Sequence, residues 1–173
     1  GICFIGERNF REFLMQYLPA QPGQIRDYDT GAVVGEHAGV AYYTLGQRKG
    51  LSIGGTGEPY FIVAKEAATR TLWMGRGEMH PALYSSELVA SRPSWVSGVA
   101  PDSGPLTCKV RYRQPDQTAT LSYLDDGKIH LKFDQPQRAV TPGQAVVLYS
   151  GDECLGGAWI EASAGVNSLH ARA

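Results

Sequence analysis

The chain has 173 residues, of which 43% are hydrophobic and 19% are charged, and its formal net charge is −1. This length is enough to bury a hydrophobic core without disulfides or metal ions. The even balance of charge excludes a strongly basic nucleic-acid module, so any contact with nucleic acid has to use a local patch. No run of the sequence reaches the roughly 20 apolar residues of a membrane-spanning helix.

The first predicted element is a helix over residues 9–18. Asn9 and Glu12 have capping-box spacing, and the apolar residues that follow fall on one face. Pro19 and the Gln-Pro-Gly run at residues 21–23 end the helix. The rest of the chain is dominated by Gly, Pro and β-branched residues, which predict short strands. In chain order the predicted strands are residues 31–34, 40–44, 60–65, 71–74, 106–112, 118–123, 128–133, 145–149 and 158–161.

Turn residues separate these strands into two groups. Asp125-Asp126-Gly127 predicts a tight hairpin, and the closely spaced strands around it predict a small barrel. His80-Pro81 and Arg92-Pro93 interrupt the pattern, which places a domain boundary between residues 80 and 100. The predicted fold class is therefore mainly β with one or two short helices: a small middle domain, α+β or β, followed by a C-terminal β-barrel.

The three cysteines, Cys3, Cys108 and Cys154, are widely separated, and no pair has the C-x-x-C spacing of a zinc or redox site. Such cysteines are typical of a reducing cytosol. Cys108 alternates with apolar neighbours, which favours a core role, and from spacing alone Cys3 would also be a core cysteine. We interpret Cys154, beside glycines, as structural.

The histidines show no metal-ligand spacing, so we expect no metal site and only surface or packing roles for them. They are His37, His80, His130 and His170.

Two basic segments are candidates for contact with RNA. In Arg111-Tyr112-Arg113-Gln114 a strand would place both guanidinium groups on one face, where they can bind phosphate beside a ring that stacks on a base. A solvated strand edge is the alternative. The loop Gln47-Arg48-Lys49-Gly50 has glycines on both sides. It either approaches a phosphate backbone or only keeps a turn soluble, and the residues leave both interpretations open.

Four stretches, in this order, resemble the tRNA-specific 2-thiouridylase family. They are residues 1–10 (GICFIGERNF), 43–51 (YTLGQRKGL), 111–114 (RYRQ), and 142–144 (PGQ) followed by 154–157 (CLGG). The resemblance covers residues 1 to about 161. Ala158 stands where the family commonly has a third glycine, for which we expect only a packing consequence.

The resemblance implies an enzyme of tRNA modification. In this family an N-terminal ATP-pyrophosphatase domain adenylates the C2 oxygen of the wobble uridine of certain tRNAs. A cysteine persulfide then delivers sulfur, which gives 2-thiouridine, AMP and pyrophosphate. Cys3 matches the persulfide-bearing catalytic cysteine, and Arg111, Tyr112 and Gln144 match positions that contact tRNA. The persulfide donor would be a sulfur-relay protein or a cysteine desulfurase, and the compartment would be the cytoplasm.

The same resemblance implies a division of the chain. Residues 1–8 would be the tail of the ATP-pyrophosphatase domain, 9–82 the middle domain, 83–163 the tRNA-contacting barrel, and 164–173 a flexible tail. The start lacks a Met and enters directly into apolar sequence, which we interpret as an internal start. We expect the ATP site and the family's second catalytic cysteine to lie upstream, so that these residues alone bind no ATP and are inactive.

Two other hypotheses remain open on the sequence alone. The first is a stand-alone RNA-binding β-barrel in which Cys3 is inert. The second, a barrel that binds protein in the manner of some translation factors, depends only on analogy of shape.

Overall fold

A computed structural model describes residues 10–51, 53–54 and 57–165 of the chain. The chain divides between His80 and Pro81 into two compact units. The predicted N-terminal helix is present as α1, Phe10–Met15. It is shorter than predicted because the next residues form a tight turn, in which the amide of Tyr17 donates to the carbonyl of Leu14 at 3.0 Å.

The first unit contains a four-stranded sheet. Its strands are β1 (Gly23–Asp27), β2 (Val33–His37), β3 (Tyr60–Glu66) and β4 (Thr71–Arg76). They lie in the order β2-β1-β4-β3, and only the β1–β4 pair is parallel. The core of this unit includes the buried residues Ile25, Tyr42, Tyr43, Ile62, Leu72 and Met74.

The predictions for this unit were partly right. Strands β3 and β4 confirm the predicted strands at 60–65 and 71–74. The predicted strand at 40–44 is wrong: Val40–Tyr42 form a 3-10 helix. Tyr42 and Tyr43 are consecutive and both buried, and Tyr42 donates its hydroxyl to the carbonyl of Leu18 at 2.7 Å. The sequence reading also missed β1, in which Ile25 is the one apolar residue between Gly23 and Asp27.

The second unit is a closed antiparallel barrel. Its strands are β5 (Tyr84–Trp95), β6 (Gly104–Lys109), β7 (Gln117–Tyr123), β8 (Ile129–Arg138), β9 (Ala145–Ser150) and β10 (Glu153–Gly165). They close in the order β10-β5-β8-β7-β6-β9. Inward-facing residues such as Leu88, Leu121, Ile129, Leu131, Leu148 and Ile160 fill the interior. The predicted fold class, a mainly β chain with a C-terminal barrel, is confirmed.

Strand β5 was not predicted, because Arg92-Pro93 was expected to interrupt the pattern. Instead, the strand continues through these two residues, which form a β-bulge. Ser91 pairs with Trp159 and Ser94 pairs with Gly157, so that Arg92 and Pro93 together lie opposite one residue of β10. A bulge is a place where a strand tolerates proline, and it redirects the neighbouring side chain. Arg92 has a left-handed backbone, with φ of 50°.

Two glycines of the CLGG stretch allow β10 to lie close to both of its neighbours. A Cβ on Gly156, whose φ is 150°, would lie 2.2 Å from the carbonyl oxygen of Ser94 on β5. A Cβ on Gly157 would lie 2.8 Å from the carbonyl oxygen of Val146 on β9. These distances are too short for a side chain, so this part of the resemblance has a packing role in closing the barrel.

Candidate RNA-binding surface

The connections of the barrel bring the predicted tRNA-contacting residues to one end. Successive connections of an antiparallel barrel lie at alternate ends. The β6–β7 connection, residues 110–116, and the β8–β9 connection, residues 139–144, are separated by one connection and therefore lie at the same end. We call this the Arg111 end. It carries Arg111, Tyr112 and Gln144, and more than 30 residues separate Arg111 and Tyr112 from Gln144 in the sequence.

Arg111 links the two connections directly. Its Nη2 donates a hydrogen bond to the carbonyl oxygen of Ala139 at 3.4 Å. Partial burial lowers the pKa of Arg111, and the nearby charge of Arg138 lowers it further. A guanidinium group titrates so far above neutrality that Arg111 remains positive at pH 7. Arg111 is exposed and the neighbouring Arg138 is partly buried, so together they form a local positive patch on a chain with no net basic charge.

Tyr112 lies at the tip of a turn rather than on a strand. Strand β6 ends at Lys109, and the amide of Gln114 donates to the carbonyl of Arg111 at 3.1 Å to close the turn. The prediction that 106–112 is one strand, with Arg111 and Arg113 on the same face, is therefore wrong at its C-terminal end. The Tyr112 side chain is 95% exposed. A fully accessible ring that lies between Arg111 and Arg113 in the sequence is suited to stacking on an unpaired base.

A glutamine network holds this turn, and the sequence analysis did not find it. Gln114 donates from Nε2 to Oε1 of Gln137 at 2.5 Å, and its own Oε1 accepts from the amide of Val110 at 3.4 Å. Gln137 is 4% exposed and donates to Oε1 of Gln117 at 2.9 Å. The buried amide of Gln137 thus ties the β6–β7 connection to β8.

Gln144 has a fixed backbone and a free side chain. Its amide donates to the carbonyl of Thr141 at 3.2 Å, and its carbonyl accepts from the amide of Ile160 at 2.8 Å. Gly143 supplies the positive φ of 84° that this turn requires. The Gln144 side chain is exposed and presents both a donor and an acceptor. Residues 142–144 therefore form a turn that holds the Gln144 backbone.

The cysteines differ in their surroundings. Cys3 lies outside the described residues. Cys108 is fully buried in the barrel, which confirms the predicted core role, and burial together with the charge of Asp116 raises the pKa of its thiol to about 12. Such a thiol is not a nucleophile at neutral pH. Cys154 is exposed near the start of β10 and so adds nothing to the core.

Gln47 organises the basic loop of the first unit. Its Oε1 accepts from the amide of Thr44 at 3.0 Å, and its Nε2 donates to the carbonyl of Lys49 at 2.8 Å. Gly50 completes the turn with a φ of 77°. Arg48 and Lys49 are exposed at its tip. This geometry suits both a contact with phosphate and a solvated turn, so the two interpretations remain.

The described histidines pack or pair within the fold. His37 is 4% exposed and donates from Nε2 to the carbonyl of Arg70 at 2.9 Å. His80 lies 3.3 Å from a carboxylate oxygen of Asp29. His130 lies 3.0 Å from a carboxylate oxygen of Glu87. His170 lies outside the described residues. In the part of the chain that the structure describes, no group of three or more His, Cys, Asp or Glu side chains is arranged to hold a metal ion.

The described residues contain no phosphate loop of the kind that opens an α-helix. Phosphate loops use a Gly-rich turn that opens an α-helix, whose N-terminus faces the phosphate. None of the described glycines opens an α-helix, since they lie in turns, strands and the start of one 3-10 helix.

Among the residues that the structure describes, no helix combines the length and the apolar character needed to cross a membrane.

Two family models match the chain. Residues 11–76 match the tRNA methyl transferase PRC-barrel domain, and residues 85–160 match the aminomethyltransferase beta-barrel domain. The chain is thus of the class in which a PRC-barrel domain is followed by this type of β-barrel.

Curated relatives narrow the class to a family. Over 163 residues, 93% of this chain, it is 53% identical to the tRNA-specific 2-thiouridylase MnmA of Shouchella clausii and 55% identical to that of Geobacillus thermodenitrificans. It is 52% identical, over 94% of its length, to the enzyme of the same name from Neisseria meningitidis. The chain belongs to the tRNA-specific 2-thiouridylase family. It spans only 43–44% of the length of these relatives.

Proposed function

We propose that this chain is the C-terminal part of a tRNA-uridine 2-sulfurtransferase and that its barrel holds the tRNA during thiolation of the wobble uridine. One observation carries the proposal for the barrel: the closed fold brings Arg111, Tyr112 and Gln144 to one end and joins their two connections through the hydrogen bond from Arg111 to Ala139. Two cations, an exposed ring and a free amide supply phosphate binding, stacking and hydrogen bonding at one place.

In this proposal Cys3 is the carrier of sulfur. A cysteine thiolate accepts a sulfane sulfur atom and passes it on. The sulfur would replace the C2 oxygen of the uridine after ATP has activated that oxygen. In this proposal ATP is bound by residues outside those that the structure describes. The donor of the persulfide would be a cysteine desulfurase or a sulfur-relay protein, and the reaction would take place in the cytoplasm.

Cys108 and Cys154 are not candidates for the carrier role. The thiol of Cys108 is buried and its pKa is raised to about 12. Cys154 is exposed, but it lies beside the β9–β10 turn, and this turn is at the end of the barrel opposite the Arg111 end. A sulfur atom on Cys154 would therefore face away from the proposed tRNA surface.

The test of the tRNA surface is the affinity of the 173-residue chain for tRNA, measured by fluorescence anisotropy at several salt concentrations. Arg111→Ala is expected to weaken binding and to reduce the slope of log K against log salt by about one, as the loss of one phosphate contact does. Lys132→Ala is the matched control, because Lys132 is an exposed cation on the wall of β8. The proposed surface is wrong if Arg111→Ala leaves the salt slope unchanged, or if Lys132→Ala lowers affinity and slope as much as Arg111→Ala does.

A further inference from the structure

A groove on the outer wall of the barrel adjoins the Arg111 end. It has a volume of about 550 Å³ and is lined by Ser91, Arg92, Gly143, Trp159, Ile160 and Glu161. Gly143 belongs to the same turn as Gln144, and Ile160 is hydrogen-bonded through its backbone to Gln144. The groove therefore lies directly beside one of the three residues assigned to tRNA contact.

Trp159 presents its ring to this groove without serving the core. It lies on β10 between Ala158 and Ile160, which are 4% and 2% exposed and point into the barrel, while Trp159 is 48% exposed. Exposure of so large an apolar ring on a barrel wall is costly in water, so a site that covers the ring gains from its burial. The sequence analysis did not single out Trp159.

The β-bulge of β5 places Arg92 next to this ring. The guanidinium carbon of Arg92 lies 5.9 Å from the centroid of the Trp159 ring. Arg92 has the positive φ of 50°, a conformation that a residue with a side chain rarely adopts. A bulge and a strained backbone at one residue are typical of places where a fold aims a side chain at a ligand.

The remaining polar groups make the groove mixed rather than apolar. Glu161 pairs with Lys128 at 3.1 Å, and Lys128 also pairs with Asp126 at 2.9 Å. Hydrogen bonds from Ser91 and from Lys128 lower the pKa of Glu161, so its carboxylate remains an acceptor at neutral pH. A groove that combines a ring, a guanidinium group and a hydrogen-bond acceptor fits a nucleotide better than it fits the apolar side chains of a protein partner.

We propose that Trp159 and Arg92 form a stacking site for an unpaired nucleobase of the bound RNA, beside Gln144. The base lies on the face of Trp159, Arg92 contacts the adjacent phosphate, and the Glu161 carboxylate accepts a hydrogen bond from the edge of the base. Because Glu161 can only accept, it meets an N–H donor on the base edge, such as the amino group of cytosine or the N3–H of uracil. This inference rests on the proposed function in one respect, which is that the ligand is RNA.

The test uses the 173-residue chain with tRNA and with short single-stranded oligoribonucleotides of cytidine or of uridine. Base stacking on an aromatic side chain is worth about 1–3 kcal/mol, so Trp159→Ala is expected to weaken binding by roughly 5- to 150-fold. Trp159→Phe is expected to keep most of the affinity. Arg92→Ala is expected to weaken binding and reduce the salt slope by about one. Tryptophan fluorescence should be quenched by RNA in the unmodified chain, and this quenching should be lost in Trp159→Phe.

The outcomes separate this inference from the proposed function. If tRNA binding depends on Arg111 while Trp159→Ala binds like the unmodified chain, the stacking site is wrong and the proposed tRNA surface stands. If the chain does not bind tRNA at all, both fail. Quenching that is equal in Trp159→Phe would also overturn the stacking site and leave this face to a protein partner. Lys132→Ala is again the charge-matched control, and thermal unfolding shows that each variant is folded.

Discussion

At the scale of single residues, the chemistry of this chain depends on which polar groups are buried and how they are paired. His37 is an example in the first unit. Its Nε2 donates to the carbonyl of Arg70, and its Nδ1 is buried with no hydrogen-bond partner in the described part of the chain. Such a ring is stable only in the neutral form, and burial lowers the pKa of His37 from its ordinary value of 6.5.

His37 therefore predicts a loss of stability in weak acid. The unfolded chain binds a proton near pH 6.5, whereas the folded chain does not until its lowered pKa is reached. The free energy of unfolding should thus be constant above about pH 6.5 and fall as the pH decreases from 6.5 towards the lowered pKa of the folded chain. Hydrogen exchange of the amides of β1 and β4 measures this in the unit that contains His37.

A variant that cannot titrate isolates the effect. His37→Gln keeps a donor that can reach the carbonyl of Arg70, and it should flatten the pH dependence below 6.5. His130→Gln is the control, since His130 is only partly buried and pairs with Glu87 on the barrel wall. The account of His37 is wrong if the His37→Gln chain loses stability with pH as steeply as the unmodified chain.

At the scale of elements, the sequence predicted the strands whose patterns are regular. Strands β7 and β9 alternate buried and exposed residues, whereas β3 and β4 are short runs with consecutive buried residues. The Asp125-Asp126-Gly127 turn joins β7 to β8 with Gly127 at a φ of 78°. Strand β5 escaped prediction because a proline in a bulge has the same local signal as a proline that ends a strand. A bulge differs from a strand end only in whether the partner strand continues to pair beyond the proline, and the local sequence does not show that pairing.

The candidate surface was predictable only in part. The resemblance assigned Arg111, Tyr112 and Gln144 to tRNA contact, but their proximity results from the order of strands in the closed barrel. The bond from Arg111 to Ala139 and the network of Gln114, Gln117 and Gln137 join residues 20 or more positions apart. No short-range pattern reports such contacts.

The glutamine network gives a prediction at this scale. Gln137→Ala removes the hydrogen-bond partner of two partly buried side chains, Gln114 and Gln117, and should lower the stability of the barrel by about 1–3 kcal/mol. It should also weaken tRNA binding, because the turn that carries Arg111 and Tyr112 loses the hydrogen bond from Gln114 to Gln137. The salt slope should not change, since no charge is removed.

Anisotropy with tRNA and urea unfolding measure the two effects. Gln135→Ala is the control for Gln137→Ala, because Gln135 lies on the same strand with an exposed side chain. A reduced salt slope for Gln137→Ala, or an equal loss of affinity for Gln135→Ala, would contradict a positioning role.

At the scale of the whole molecule, the chain combines two domains of a tRNA-modifying family in 173 residues. The barrel has no free edge strand, so its candidate surface lies on connections held by a rigid wall. The relatives are more than twice as long as this chain, and their shared name is that of a 2-thiouridylase. In the proposed function, the barrel binds tRNA while residues outside this part of the relatives' length activate the base.

The most direct measurement of this account is peptide mass spectrometry of a full-length enzyme that contains this sequence, after incubation with a cysteine desulfurase and cysteine. The account predicts one additional sulfur atom on the peptide of Cys3 and none on the peptides of Cys108 or Cys154. It also predicts that this sulfur disappears when tRNA and ATP are added and that Cys3→Ser yields no 2-thiouridine. Sulfur on Cys154 in place of Cys3, or normal 2-thiouridine formation by Cys3→Ser, would contradict it.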